Sequence, residues 1–349
     1  MLPAIILSLS EKLSMHILKP RGRLLVQWTT TAYIWANPKP GKSHLMSFQF
    51  DNIVEQLGNV VLGKEEQIRL ALTCLLARGH LLIEDIPGIG KTTLAKVLSK
   101  CLGLNFRRIQ CTSDMLPGDI LGVSVFERKS SSFVFHPGPI FSQVLLADEI
   151  NRATPKTQSA LLEAMEERQV TVEGKTRPLD VPFFVIATQN PIEQFGTFPL
   201  PESQLDRFLM RIDLGYPNRS AEKILLKQGA TRNALADLRP MLTSKDVLML
   251  QEQVSEVHVS DALLEYVQDL LDFSRNSAHF HVGLSPRAGL NLLMASKSRA
   301  FLEGRDYALP EDLQNVLAWV VGHRLRSKDD GIEIPMGRLK SILLTVPVP

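Results

Sequence analysis

Cysteine is scarce in this sequence: Cys74, Cys101 and Cys111 are the three among 349 residues, odd in number and without C-x-x-C spacing. That excludes a disulfide framework and a cysteine zinc cage, and it predicts a reducing, cytoplasmic setting. Long apolar runs are lacking as well. No stretch of about 18 apolar residues is present to cross a bilayer. The eight histidines are scattered, and none is spaced to serve a serine or cysteine nucleophile. A strong charge of one sign is also missing. The formal net charge of +2 comes from 39 Lys+Arg and 37 Asp+Glu, and residues 1–45 hold six of the basic groups (Lys12, Lys19, Arg21, Arg23, Lys39, Lys42) and one acidic group, Glu11. Residues 46–349 are left with 33 basic and 36 acidic groups, a net −3. Bulk electrostatics therefore gives no reason to expect nucleic-acid binding.

What is present suits a soluble chain of about two domains: 44% hydrophobic and 22% charged residues, and a length near twice ~150 residues. Residues 1–45 stand apart, with Trp28, Trp35, the Asn37-Pro38-Lys39-Pro40 stretch and no sustained apolar period. Apolar Ala4–Leu9 precedes the positive charges, the reverse of a secretory signal. Met46 then opens an amphipathic run through Phe48, Ile53, Val54 and Leu57. The expectation is an extraneous or disordered extension over 1–45, with translation starting at Met46.

The densest chemical signal follows His80, where a short apolar strand meets Pro87, Gly88, Ile89, Gly90, Lys91, Thr92 and Thr93 and then a helical pattern. Glycines at 88 and 90 let backbone N–H groups curl around phosphate oxygens, and the helix N-terminus adds its dipole. Lys91 suits the β- and γ-phosphates, and the Thr92 hydroxyl suits Mg²⁺. Asp85 occupies the place of the leading glycine in G-x-x-x-x-G-K-[ST], so this motif alone also fits a glycine-rich turn that binds nothing. Asp148-Glu149 comes 57 residues after Lys91, directly behind the apolar run Val144–Ala147. Adjacent carboxylates at the end of a buried strand call for a cation or ligand. Asp148 suits the magnesium and Glu149 the attacking water. Asn190 ends a further apolar strand and could orient that water, though Asn-Pro is also a turn signal.

Together with Leu205-Asp206-Arg207-Phe208 and Gly283 to Arg287, these motifs come in the order and spacing of the AAA+ ATPases, and the stretch from Leu146 to Gly174 closely resembles the MoxR family within that class. The resemblance covers Met46 to the C-terminus, and members also carry a residue other than glycine where Asp85 stands. It implies ATP and Mg²⁺ as cofactors, Asn190 as first sensor, Arg207 as arginine finger and Arg287 as second sensor in a lid. Val61, Leu62 and Gly63 are similar to the adenine-side segment. A finger supplied by a neighbour makes hydrolysis depend on a closed ring. The resemblance implies such a homo-oligomer, commonly a hexamer, acting as a chaperone on proteins with von Willebrand factor A domains or on maturing metalloenzymes. Arg207 could instead be bridged to Asp206 or Glu202, and Arg211 competes as finger. An ATP-gated binding module is the alternative reading, and a nucleic-acid motor a weaker one.

The pattern predicts an α/β core over 46–215 and a small helical lid over 216–349. Strands are expected at Leu81–Ile83, Phe106–Gln110, Val144–Ala147, Phe183–Thr188 and Leu209–Asp213, alternating with helices such as Thr93–Cys101 and Pro155–Arg168. That is a parallel sheet with nucleotide at its carboxyl edge. An insert and hairpin are expected over Cys111–His136, and a second hairpin turning at Gly174-Lys175. Both are candidates for client contact, with Phe126 and Phe133 the nearest to a pore pair. The lid helices begin at caps Ser220, Ser244, Ser260 and Ser285, with Pro286 and Pro310 in first turns, and Arg287 is expected to face the nucleotide.

Overall fold

The computed structural model describes residues 42–129, 131–191, 196–228, 235 and 237–349; positions 1–41 of the expected extension lie outside them. Helices α1 (Lys42–Gly58) and α2 (Glu65–Leu76) lead into strand β1 (Leu81–Glu84), and α3 (Lys91–Cys101) follows the phosphate-loop motif. Then come β2 (Phe106–Gln110), α4 (Pro117–Leu121), β3 (Gly122–Glu127), β4 (Ser132–Pro137), β5 (Val144–Asp148), α5 (Pro155–Glu167), β6 (Gln169–Val172), β7 (Lys175–Pro178), β8 (Phe184–Gln189), α6 (Glu202–Leu205) and β9 (Met210–Ile212).

Five strands form one parallel sheet in the order β2-β5-β8-β1-β9. Successive side chains of a strand point to opposite faces, and here both faces are apolar. Leu81, Ile83, Val144, Leu146, Phe184 and Ile186 pack with α2 and α3, whereas Leu82, Leu145, Ala147, Val185 and Ala187 pack with Leu161, Leu162 and Met165 of α5. The central strands β1, β5 and β8 read as near-continuous hydrophobic runs, whereas the edge strand β2 carries exposed Arg107, Arg108 and Gln110. All five carboxyl ends lie on one edge. The expected hairpins are β3–β4 and β6–β7. The second turns one residue earlier than expected, at Glu173-Gly174, because Val172 pairs with Lys175 and both turn residues take the positive φ that a tight hairpin demands.

Beyond Ile212 the described elements are helical: α7 (Arg219–Gln228), α8 (Ser244–Ser255), α9 (Asp261–Asn276), α10 (Pro286–Leu302), α11 (Pro310–Val321) and α12 (Met336–Leu343). Ser260 and Ser285 cap α9 and α10 as expected. The other two caps differ. Thr243 forms a capping box with Asp246, leaving Ser244 as the first helical residue. Asn218 accepts the Ala221 N–H at 2.8 Å in place of Ser220. The lid is fastened to α2, with Gln251 donating to the Leu75 carbonyl at 2.7 Å and Ser298 to that of Thr73 at 2.9 Å. Val247, Leu263, Tyr266, Leu292 and Leu313 continue the core formed by α2 and α3.

Candidate nucleotide site

At the carboxyl edge of β1, Gly88 and Gly90 adopt φ of +86° and +100°. A Cβ at either would meet nothing within 4 Å, so glycine is required for backbone conformation while the concave side stays open to a ligand. Lys91 opens α3 and points back across the loop, donating to the Asp85 carbonyl at 2.5 Å and the Gln189 carbonyl at 3.4 Å. Burial holds its ammonium below the usual lysine pKa, against the opposing pull of Asp85, Asp148, Glu149 and Glu84. The Asp85 side chain accepts the N–H groups of Ile86 at 2.7 Å, Leu214 at 2.8 Å and Gly215 at 2.6 Å. A glycine could not do this. The departure from the glycine pattern therefore clamps the base of the loop to the exit of β9.

Asp148 ends β5 and is buried. Its Oδ1 accepts the Thr188 hydroxyl at 2.6 Å, and its Oδ2 lies 3.4 Å from Thr92 Oγ1. The same Oδ2 takes Arg108, at 2.7 Å from Nη2 and 3.1 Å from Nε. Glu149 has φ +57°, a left-handed backbone that costs a non-glycine residue about 1–3 kcal/mol and recurs at functional sites. Its N–H donates to Thr188 Oγ1 at 2.9 Å, so one hydroxyl fixes both carboxylate-bearing residues. The Glu149 carboxylate accepts from Gln110 at 3.0 Å and pairs with Arg152 at 2.9 Å. Asn190 is buried just past the end of β8. Thr188, Gln110 and Arg108 were missed in sequence. Only the strand alternation that puts them beside Asp148 on neighbouring strands could have found them.

The donor set fits a hard divalent ion held chiefly by phosphate and water. One hydroxyl and one carboxylate oxygen converge beside an open phosphate loop, the sparse protein ligation typical of magnesium-nucleotide sites. Among the described residues no group of three metal-ligating side chains forms a cage. Of the segment expected on the adenine side, Leu62 and Gly63 line a 570 Å³ groove with Asn218, Ala221 and Ile224. Val61 is instead buried in the core.

The structure brings two of the expected arginines together, away from this edge. Arg207 Nε donates to Glu166 Oε2 at 2.8 Å, and Arg287 pairs with Glu166 Oε1. These contacts hold the Glu166 carboxyl below its ordinary pKa and raise Arg287. The partner of Arg207 is thus neither Asp206 nor Glu202. Glu166 lies in the last turn of α5, beside Met165, whose carbonyl meets His80 Nε2 at 3.2 Å just before β1 begins. This is the amino edge, separated from Lys91 by the four residues of β1, about 13 Å. Arg287 therefore does not face the phosphate loop of its own chain, contrary to the expectation, because the lid is anchored on the last turn of α2 at that same edge. Arg211 is locked within the chain by Glu84 at 2.7 Å and Glu333 at 2.5 Å, and its side chain is 11% exposed.

A five-stranded parallel sheet with a phosphate loop after β1, an Asp-Glu pair after β5 and a helical lid defines a P-loop ATPase of the AAA+ class. Residues 80–210 match the ATPase family associated with various cellular activities (AAA), and residues 272–336 match the AAA lid domain. The chain is 38% identical to Chaperone MoxR1 of Mycobacterium tuberculosis, over 86% of this chain and 82% of that protein. It is 34% identical to Protein MoxR of Paracoccus denitrificans, over 79% of this chain and 88% of that one. A solved structure from Cytophaga hutchinsonii, described as a candidate ATPase, has a TM-score of 0.80 at 35% identity and covers 88% of this chain and 96% of its own. The chain belongs to the MoxR family of AAA+ ATPases.

Proposed function

We propose that this protein is a Mg²⁺-dependent ATPase that assembles as a homo-oligomeric ring and uses hydrolysis to remodel protein clients. The observation that carries the reading is the division of charged groups between the two edges of the sheet. Lys91, Thr92, Asp148, Glu149 and Asn190 gather at the carboxyl edge, while Arg207 and Arg287 gather at the amino edge on Glu166. Neither arginine serves the nucleotide of its own chain, so each is available to a neighbour's. Arg207 is the better finger, being more exposed than Arg211 and free of an intrachain pair beside the loop.

In this reading the loop N–H groups and Lys91 cradle the phosphates, and Leu62 and Gly63 border the base. Thr92 and Asp148 hold the magnesium, which when bound neutralises phosphate charge. Glu149 accepts the proton of the attacking water, a task for which it must leave Gln110 and Arg152. Asn190 orients the water, and the neighbour's guanidinium groups stabilise charge spread over the equatorial oxygens. The chaperone name of the mycobacterial relative supports a protein client; the von Willebrand factor A and metalloenzyme classes rest on the family resemblance alone. The β3–β4 hairpin is the candidate contact: Phe126 and Phe133 are exposed and meet edge to face at 5.4 Å, and Ser124 ties this hairpin to the second through Glu173 at 2.6 Å. Three buried thiols suit a reducing cytoplasm, and among the described residues no helix is long and apolar enough to cross a membrane.

The hold on Glu149 favours one second reading, an ATP-gated module whose assembly state carries the signal. Light scattering with and without ATP and magnesium, beside phosphate release, separates the two: nucleotide-dependent rings with turnover support remodelling, and rings without turnover support the module. A monomer under all conditions contradicts both.

A further inference from the structure

Arg108 belongs to none of the motifs that define the site, yet it joins two of the site's carboxylates. From β2 it places both Nη2 and Nε on Asp148 Oδ2, the oxygen that also approaches Thr92 Oγ1. The same Nη2 donates to Gln110 Oε1 at 2.7 Å, and Gln110 Nε2 donates to Glu149 Oε2 at 3.0 Å. A guanidinium is charged at every working pH and offers donors only, and with Nη2 and Nε both on Oδ2 it takes up the two lone-pair sites of that oxygen, so a divalent ion approaching Oδ2 competes with it. The side chain is 43% exposed, so it can leave Asp148 for water without opening a cavity.

We propose that Arg108 is a positioning residue: it is the resident counter-cation of Asp148, gives way when that carboxylate takes a divalent ion, and through Gln110 links this exchange to the release of Glu149. The inference rests on the nucleotide-and-magnesium reading of Asp148. With Arg108 in place, its Nη2 holds the Gln110 carbonyl, which turns the amide nitrogen toward Glu149 and keeps the catalytic carboxylate occupied. Once Arg108 swings out, the amide loses the donor that orients it. One of the two holds on the hydrolytic carboxylate is thereby released in step with the filling of the metal position, leaving the Arg152 pair as the other, and metal-free nucleotide leaves both in place.

The test is the ratio of affinities for a fluorescent ATP analogue measured with magnesium and with a chelator. Removing Arg108 leaves Asp148 uncompensated against metal-free triphosphate and removes the competitor of the divalent ion, so Arg108→Ala raises the ratio about fivefold, as expected for an ion pair near the surface. Arg108→Lys keeps the charge and holds the ratio near wild type, whereas Arg107→Ala, an exposed neighbour on the same strand, leaves it unchanged. Arg108→Gln carries the same measurement if the alanine variant does not fold. A salt bridge serving only the fold lowers both affinities together, and an unchanged ratio in Arg108→Ala overturns the proposal while leaving the site reading intact. A wild-type protein that binds no analogue in either condition overturns both.

Discussion

Equal mixing of Glu149→Gln and Arg207→Ala subunits is predicted to restore hydrolysis to about one quarter of the wild-type rate. The figure follows from the placement of the two groups. Glu149 follows β5 at the carboxyl edge and Arg207 is tied to Glu166 at the amino edge, so in the proposed ring one chain's arginine would serve the next chain's nucleotide in a head-to-tail contact. Each variant alone is inactive. One lacks the proton acceptor, and the other lacks a guanidinium fork worth roughly 10³–10⁵ in rate, about 4–7 kcal/mol. In a random mixture a site is complete when its own chain keeps Glu149 and its neighbour keeps Arg207, two independent halves, whatever the ring size. Phosphate release at constant total subunit concentration, measured across mixing ratios after subunit exchange, should peak at equal amounts. Activity that follows the weighted sum of the parents at every ratio refutes action between chains.

Lys91→Ala should weaken ATP binding at least ~100-fold in calorimetry, since it removes the loop ammonium proposed to hold the phosphates, which in the structure rests on the Asp85 carbonyl; near-normal affinity would remove Lys91 from the site. Asp85→Ala strands the N–H groups of Ile86, Leu214 and Gly215, and should cost about 3 kcal/mol, or roughly 6 °C in thermal unfolding; an unchanged midpoint argues against the clamp. His80 is buried, accepting the Val185 N–H at Nδ1 at 3.0 Å while Nε2 faces the Met165 carbonyl, and burial lowers its pKa from 6.5 to about 4. The unfolded chain therefore takes up this proton first, so stability is full above pH 6.5 and declines by about 3 kcal/mol as pH falls toward 4. His80→Gln should flatten that part of the pH profile. Glu166, held below its ordinary pKa by two arginines, adds stability that is present above about pH 4.3 and is lost as pH falls through the lower folded value.

The central strands were legible because a strand buried on both faces must be apolar throughout, as Val144–Ala147 and Leu81–Ile83 are. Helix α2 was not. From Leu70 to Leu76 every residue is buried, so no helical stripe exists to be counted. Helix α12 offers only Leu339 and Leu343 as buried anchors, too few to set a period. At the site, Lys91, Thr92, Asp148 and Glu149 announce themselves by local pattern. Arg108, Gln110 and Thr188 do not, because their role arises from strand neighbours far apart in sequence. Arg287 was expected above its own phosphate loop because its position at the start of a lid helix carries no record of which edge the lid is anchored to. The bonds from Gln251 and Ser298 to α2 decide that.

In the proposed reading Lys91, Thr92, Asp148 and Glu149 form a site where ATP is both bound and hydrolysed. Its most direct measurement is phosphate release by the purified wild-type protein beside Glu149→Gln, with ATP affinity determined for both. Magnesium-dependent release by the wild type, abolished in the variant while ATP affinity is retained, is the predicted result. A wild type that releases no phosphate, or a variant that hydrolyses as fast as the wild type, contradicts it.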